Sequence, residues 1–473
     1  DYLLRGAMRW TGAGTARQLV VAPELVDARS GKVAWSREVT HAEADVPRLP
    51  SDVTKAVAEA LGVALAPGED SAITSSPTVS AEAYRSFLRG RAIVGNDPGS
   101  LRESNREYEQ AVALDSLFAD AWGLLAQGNT VLYLNGNRDP AVALRAKQAL
   151  DRVVALRPGS PLSRRARSGY LEIVAGDEPA ARAELDLALR ETPNDAGLLA
   201  ASGQQDINVG DLGSGLTKLE RARELDPRAP TMLANLLTAY TYLNRPTDAQ
   251  KVGEALLAVR PLDLNSIQAV AMAYVTAGDL TGARRVLREA VQRGVPAPRL
   301  AAHMAGYFET GFVLDEAEQQ LVTRLTPSSF DDDRAWWAQA LATLHWQRGD
   351  TAMARAFADS AIAPTKAQLA GAPNDPQLHG LIAVMYAYMG RAAEARSEVQ
   401  QSMAHVDRFS QQGYNRLNAA KAELALGDRD AAIDHLAKVR ATGYYVTNGW
   451  LQVDPTFASL KGYPKFEQLL KGN

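Results

Sequence analysis

From about residue 160 onward, apolar positions fall into short stripes at helical spacing, and the polar breaks between them recur at a fixed interval. Turn signals stand at Gly176-Asp177, Gly210-Asp211, Asn244-Arg245 and Gly278-Asp279, each 34 residues after the last, and continue at Gly311, Gly349-Asp350, Gly390-Arg391 and Gly427-Asp428. Pro193, Pro227 and Pro261 repeat at the same interval. Such a period indicates one two-helix unit stacked many times over. In 196–227, Leu199, Gly203 and Ile207 share one helical face. Gly210 ends that helix and Asp211 can cap the next, whose inner stripe is Gly215, Leu219 and Ala222. Pro227 closes the unit, because proline cannot continue a helix.

Small residues recur where paired helices must approach closely. Gly169, Gly203, Ala271, Ala342, Ala383 and Ala420 take this place in the first helices. Ala181, Ala249, Ala283, Ala354, Ala395 and Ala432 take it in the second. Two intervals are overlong: Ser116 to Pro158 predicts lengthened helices near 130–150, and 350–373 carries Pro364 and Pro373.

The ends follow other patterns. Leu3–Trp10, Gln18–Asp27 and Val33–Thr40 are rich in Val, Leu and Trp with partial alternation, so they predict three strands. Pro23 inside the second predicts an edge strand or a bulge. Val53, Ala56, Val57, Ala60, Leu61 and Leu65 predict a helix over about 51–65. Both faces of the second strand are apolar, so both need cover, whether from the repeats, another chain or a neighbouring copy. Residues 66–79 are rich in Pro, Ser, Thr and Gly and read as a linker. The organisation expected is 1–66 as an α/β element, 67–80 as linker, 81–442 as repeats and 443–473 as a C-terminal capping segment. Because Asp1-Tyr2-Leu3-Leu4-Arg5 reads as the middle of a strand, the chain is expected to be a fragment or a processed product.

Composition narrows the chemistry. The 473 residues carry no cysteine, which removes disulfides, thiol catalysis and cysteine-ligated metal. Lys+Arg 51 against Asp+Glu 55 leaves no basic excess for a nucleic-acid partner. No stretch has the roughly 18 apolar residues of a membrane span. His41, His303, His345, His379, His405 and His435 are scattered without an HExxH pair. Gly210, Gly213 and Gly215 fit no phosphate-loop spacing, and Ser214 lacks a nucleophile frame. Asp331-Asp332-Asp333 read as helix-capping charge, with a hard cation as the alternative. The inventory therefore predicts no enzyme, no cofactor and no metal.

Period, turn, small positions and closing proline together resemble the tetratricopeptide repeat family over about 81–442. The resemblance implies a mostly α fold: a right-handed solenoid of about ten helix pairs with a small N-terminal α/β element. Leu25-Val26-Asp27-Ala28-Arg29-Ser30-Gly31-Lys32-Val33-Ala34-Trp35 followed by an amphipathic helix is similar to the second half of a TolB-like (FlgO-type) domain. Trp450-Leu451-Gln452-Val453-Asp454-Pro455, with Phe457, Leu460, Pro464, Phe466 and Leu469-Leu470, resembles the closing segment of the same bacterial proteins. These include adenylate-cyclase-like regulators and transmembrane serine/threonine kinases. The chain has neither HRD nor DFG, so kinase activity does not carry over.

In the tetratricopeptide family a few first-helix positions line a concave groove. Carried onto this chain, they give Tyr170, Gln204, Asn208, Tyr242, Asn265, Gln268, Trp336, Gln339, Trp346, Gln347 and Tyr388, with Lys421 the only basic residue. Amides and phenols suit an extended neutral or mixed peptide, whereas clamping a terminal carboxylate needs charged donors. Two alternatives stand beside this: the tryptophans fill the space of an irregular repeat, and the polar groups form a solvated face. The function expected is a non-enzymatic scaffold for a protein or peptide, placed outside the cytoplasm by the TolB-like resemblance. A homo-oligomer or extracellular filament built through stacked repeats and an open strand edge is the second reading. A regulatory fragment of a transmembrane kinase is the third.

Overall fold

The computed structural model describes residues 2–12, 17–63, 76–93, 95, 97–135, 138–306, 310–404 and 409–471. Most of the proposed linker lies outside the described residues. Its end is tied to the repeats: the Thr78 hydroxyl donates to Asp115 at 2.5 Å, and Ser80 caps the first solenoid helix.

Four antiparallel strands open the chain: β1 (Tyr2–Thr11), β2 (Gln18–Asp27), β3 (Val33–Ser36) and β4 (Val39–Ala42). The third strand expected from the pattern is thus two strands, both paired to β2. Pro23 explains the break and corrects its own placement. β2 is the central strand, not an edge, and its partner changes from β4 to β3 at Pro23. Proline has no N–H to offer that ladder, and only its carbonyl is used, accepting from Arg37 N at 3.2 Å. Both apolar faces of β2 are covered, with Leu19, Val20, Val21, Leu25 and Val26 all buried. The exposed strand is β1, where Tyr2, Leu3, Leu4, Met8 and Trp10 remain open to solvent. The helix Leu49–Ala60 follows a 3-10 turn, Glu43–Arg48. That turn docks on the first repeat through a Glu43–Arg85 ion pair and the packing of Val46.

Among the described residues, ten helix pairs run from Ala81 to Ala441 in a tetratricopeptide-like α-solenoid. The turn logic is visible in the fourth to sixth pairs, whereas Gly311 of the seventh is buried inside a 3-10 helix, Thr310–Val313. Gly210 and Gly278 take φ of 92° and 79°, and Asn244 takes 51° at the matching place. These are left-handed conformations that favour glycine and tolerate asparagine. Asp211 and Asp279 then accept from the backbone N–H of Ser214 and Gly282, capping the second helices. The small positions pack as expected at Ala271, Ala342, Ala383 and Ala420, and at all six second-helix alanines, each fully buried. Gly203 meets the carbonyl of Gly215 and the side chain of Leu219. Gly169 differs: nothing approaches it, because its helix gives way to a π turn at Leu171–Ala175.

The overlong intervals are helices Ala119–Asn135 and Pro140–Leu156, of 17 residues each, and Thr351–Gly371, of 21 with Pro364 inside. The pairs wind so that distant units meet. Arg299 reaches Asp97 at 3.5 Å, joining the seventh pair to the first. Arg138 reaches Asp375 at 2.5 Å, joining the second to the ninth. Helix Ala196–Asn208 touches Phe409–Ala425, joining the fourth to the tenth. After the last pair, residues 443–471 turn back into the superhelix, where Trp450, Leu451, Phe457, Leu460 and Phe466 are buried.

Candidate peptide-binding surfaces of the solenoid

The residues of the proposed groove do not form one surface. Winding divides them into three places.

Trp336 and Gln339 lie on helix Arg334–Gln347 and open on a cavity of about 680 Å³ between the first two pairs and the seventh to tenth. Asp333 caps that helix by accepting from Trp336 N at 2.9 Å, and also accepts from Gln368 Nε2 at 2.9 Å. The triple aspartate therefore includes the capping charge that the sequence suggested. Trp336 is half-buried, its indole edge-on to Phe330 with ring centroids 5.4 Å apart. It also lies against Gly306, where a side chain would collide with the ring. Gln339 donates to Thr365 Oγ1 at 2.8 Å. Gln368, Gln377, Tyr414, Arg102 and Arg145 complete the lining. Gln377 and Tyr414 stand on first helices six residues before Ala383 and Ala420, the place Trp336 holds before Ala342, so the register could have shown them. It could not reveal the others: Gln368 belongs to a second helix, and the two arginines come from pairs that only superhelical winding brings alongside. Asp331 lies on the same wall, and burial, with Asp97 nearby, holds its carboxyl above the usual range.

Gln204 and Asn208 stand elsewhere. The Gln204 amide donates to Asn208 at 2.9 Å, and Asn208 donates to Glu172 at 2.8 Å. Glu172 belongs to the π turn, and it and Asn208 border a separate cavity of about 380 Å³ with Arg182 and Asp186. Tyr170 and Asn265 are half-buried on their own first helices.

Tyr242, Gln268 and Tyr388 are buried, and the C-terminal segment is what covers this face. Tyr445 packs edge-on against Tyr242 at 5.0 Å. Thr447 Oγ1 donates to the carbonyl of Thr276, and Gln347 Nε2 donates to Thr456 Oγ1 at 3.1 Å. Trp346 stacks on Tyr388 with centroids 4.5 Å apart and planes at 16°. Lys421 is buried, and burial pulls its pKa down to about 8, with Asp454 of the C-terminal segment opposing that shift.

Among the described residues no group of three or more His, Asp or Glu side chains is arranged to hold a metal ion, and no helix is long and apolar enough to cross a membrane. His379 is engaged with Glu398 at 2.5 Å, and His345 with Asp350 at 3.2 Å. His405 lies outside the described residues.

No family model and no curated protein matches the chain. Solved structures of low identity do match. A tetratricopeptide repeat protein from Parabacteroides merdae is 16% identical, with 66% of this chain and 97% of that chain covered at a TM-score of 0.30. PilW, a type IV pilus biogenesis factor, is 15% identical, with 45% and 93% covered at 0.32. An APC/C hetero-tetramer is 13% identical, with 90% and 83% covered at 0.38. These TM-scores are low, so the fold rests on the chain's own helix pairs, turns and caps and not on the likeness.

Proposed function

We propose that the chain is a non-enzymatic scaffold that holds an extended segment of another protein. The supporting observation is the 680 Å³ cavity, where the Trp336 indole stands beside Gln339, Gln368 and Gln377. Aromatic rings are frequent anchors at interfaces, and side-chain amides can bond both the N–H and the C=O of a bound backbone. The bacterial, extracytoplasmic setting and the partial TolB-like domain rest on the sequence resemblance.

The test is selection of random peptides on the immobilised chain. Enriched peptides should bind in the micromolar range and lose about ten-fold in affinity with Trp336→Ala, in a variant whose helical content is retained. Absence of enrichment, or affinity indifferent to Trp336→Ala, would refute the assignment of this cavity.

Self-assembly is the second reading, and β1 favours it. This ten-residue edge strand exposes Leu4, Met8 and Trp10 on one face, and Leu3 on the other. A long, open, apolar edge is a template for pairing with another chain.

A further inference from the structure

The C-terminal segment lies along the concave face as a ligand would. After helix Arg429–Ala441 the chain turns at Gly443, whose φ of 69° sets it against the carbonyl of Tyr242. It then crosses the ends of successive first helices. Tyr444 and Tyr445 meet Tyr242, at 5.9 and 5.0 Å between ring centroids. Gly449 passes Gly278 backbone to backbone. Trp450 packs edge-on against Phe312 at 5.8 Å, and Leu451 is buried behind it. Thr456 receives the hydrogen bond from Gln347.

One polar position stands out. Asp454 is buried, accepting from Trp450 Nε1 at 3.0 Å and from Thr456 N at 2.8 Å. Burial holds its carboxyl above the usual range, with Lys421, buried in helix Phe409–Ala425, opposing that shift.

We propose that the concave face of the fifth to tenth pairs is a binding site for aromatic peptides, and that residues 443–460 are its resident occupant. The ligand class follows from the resident: two adjacent aromatics on Tyr242, then a Trp-Leu pair on Phe312. A partner carrying this pattern competes with the chain's own segment. The site is separate from the cavity at Trp336, and neither assignment depends on the other.

The experiment uses the full chain with a protease site inserted in the turn after Ala441, cut after folding. The probe is a fluorescent synthetic peptide spanning 443–471. The cut halves should co-elute with helical content retained, and excess probe should exchange into the site. A probe carrying Trp450→Ala should bind about ten-fold more weakly. A cut chain that unfolds, or that refuses the probe, overturns the proposal, since the segment is then ordinary core. A second measurement uses the uncut chain with Trp450→Ala and Asp454→Asn, which loosens the resident. This variant should take up wild-type probe where the unaltered chain takes up none, and equal uptake by the two would also overturn the proposal. Binding that disappears with Trp336→Ala alone would place the probe in the other cavity and count against the site.

Discussion

Arg138 and Asp375 form an ion pair at 2.5 Å between the turn of the second helix pair and the start of the ninth. Asp375 is nearly buried and also caps its own helix, accepting from the backbone N–H groups of Gln377 and Leu378. Arg138 reaches it from a left-handed backbone, φ 51°. Replacing Arg138 by Ala should cost about 1–3 kcal/mol, because the carboxylate stays buried with one partner fewer. Denaturant unfolding measures this. An unchanged midpoint would mean that the two turns of the superhelix are not joined there.

Two glycines one repeat apart should respond in opposite senses. At Gly203 an added Cβ would stand 2.9 Å from the carbonyl of Gly215, so Gly203→Ala should cost about 1–3 kcal/mol. Gly169 is helical with open space around it, so Gly169→Ala should gain about 0.5–1 kcal/mol through lower chain entropy. The same sign at both sites would contradict the packing described.

Ala271 is fully buried between helices of the sixth pair. Leucine there should overpack the contact by about 1–3 kcal/mol, read as a lower midpoint at an unchanged denaturant slope.

His303 is buried, and burial brings its pKa down to about 3, with Asp97 opposing and Arg299 adding to the shift. The unfolded chain therefore takes up a proton that the folded chain refuses. Stability should be full above about pH 6.5 and fall as pH drops from there toward about 3. His303→Leu should flatten this acid limb. A limb of unchanged slope would assign it to carboxylates instead.

Met8 and Leu4 lie exposed on the same face of β1. If copies pair through that edge, Met8→Lys with Leu4→Lys should shift sedimentation toward the monomer and leave solenoid melting unchanged. Assembly indifferent to both lysines would remove the edge from consideration.

Much of the solenoid was legible along the chain, and the legible parts are local. A Gly-Asp turn works within a few residues: glycine supplies the left-handed backbone and aspartate caps the helix behind it. The buried alanines are nearly as local, because each meets the other helix of its own pair. At Pro23 the edge-strand half of the expectation failed, while the pairing of β2 with β3 does carry a register shift, between Leu25 and Val26. A missing N–H does exclude a ladder bond, but a central strand can still accommodate it where its neighbour changes from β4 to β3.

Sequence alone determined the period, the pair, its caps and its small contacts, since these depend on backbone conformation and on neighbours one helix away. Only the tertiary structure decided which groove positions remain open. A small rotation repeated from pair to pair accumulates until Arg299 meets Asp97 and Arg138 meets Asp375, and no single repeat encodes that sum. The same winding leaves Trp336 and Gln339 at a cavity, while Tyr242 lies under the returning segment and Gln268 and Tyr388 are buried. Positions equivalent in the repeat thus end in different surroundings, because burial depends on what the rest of the chain brings against them.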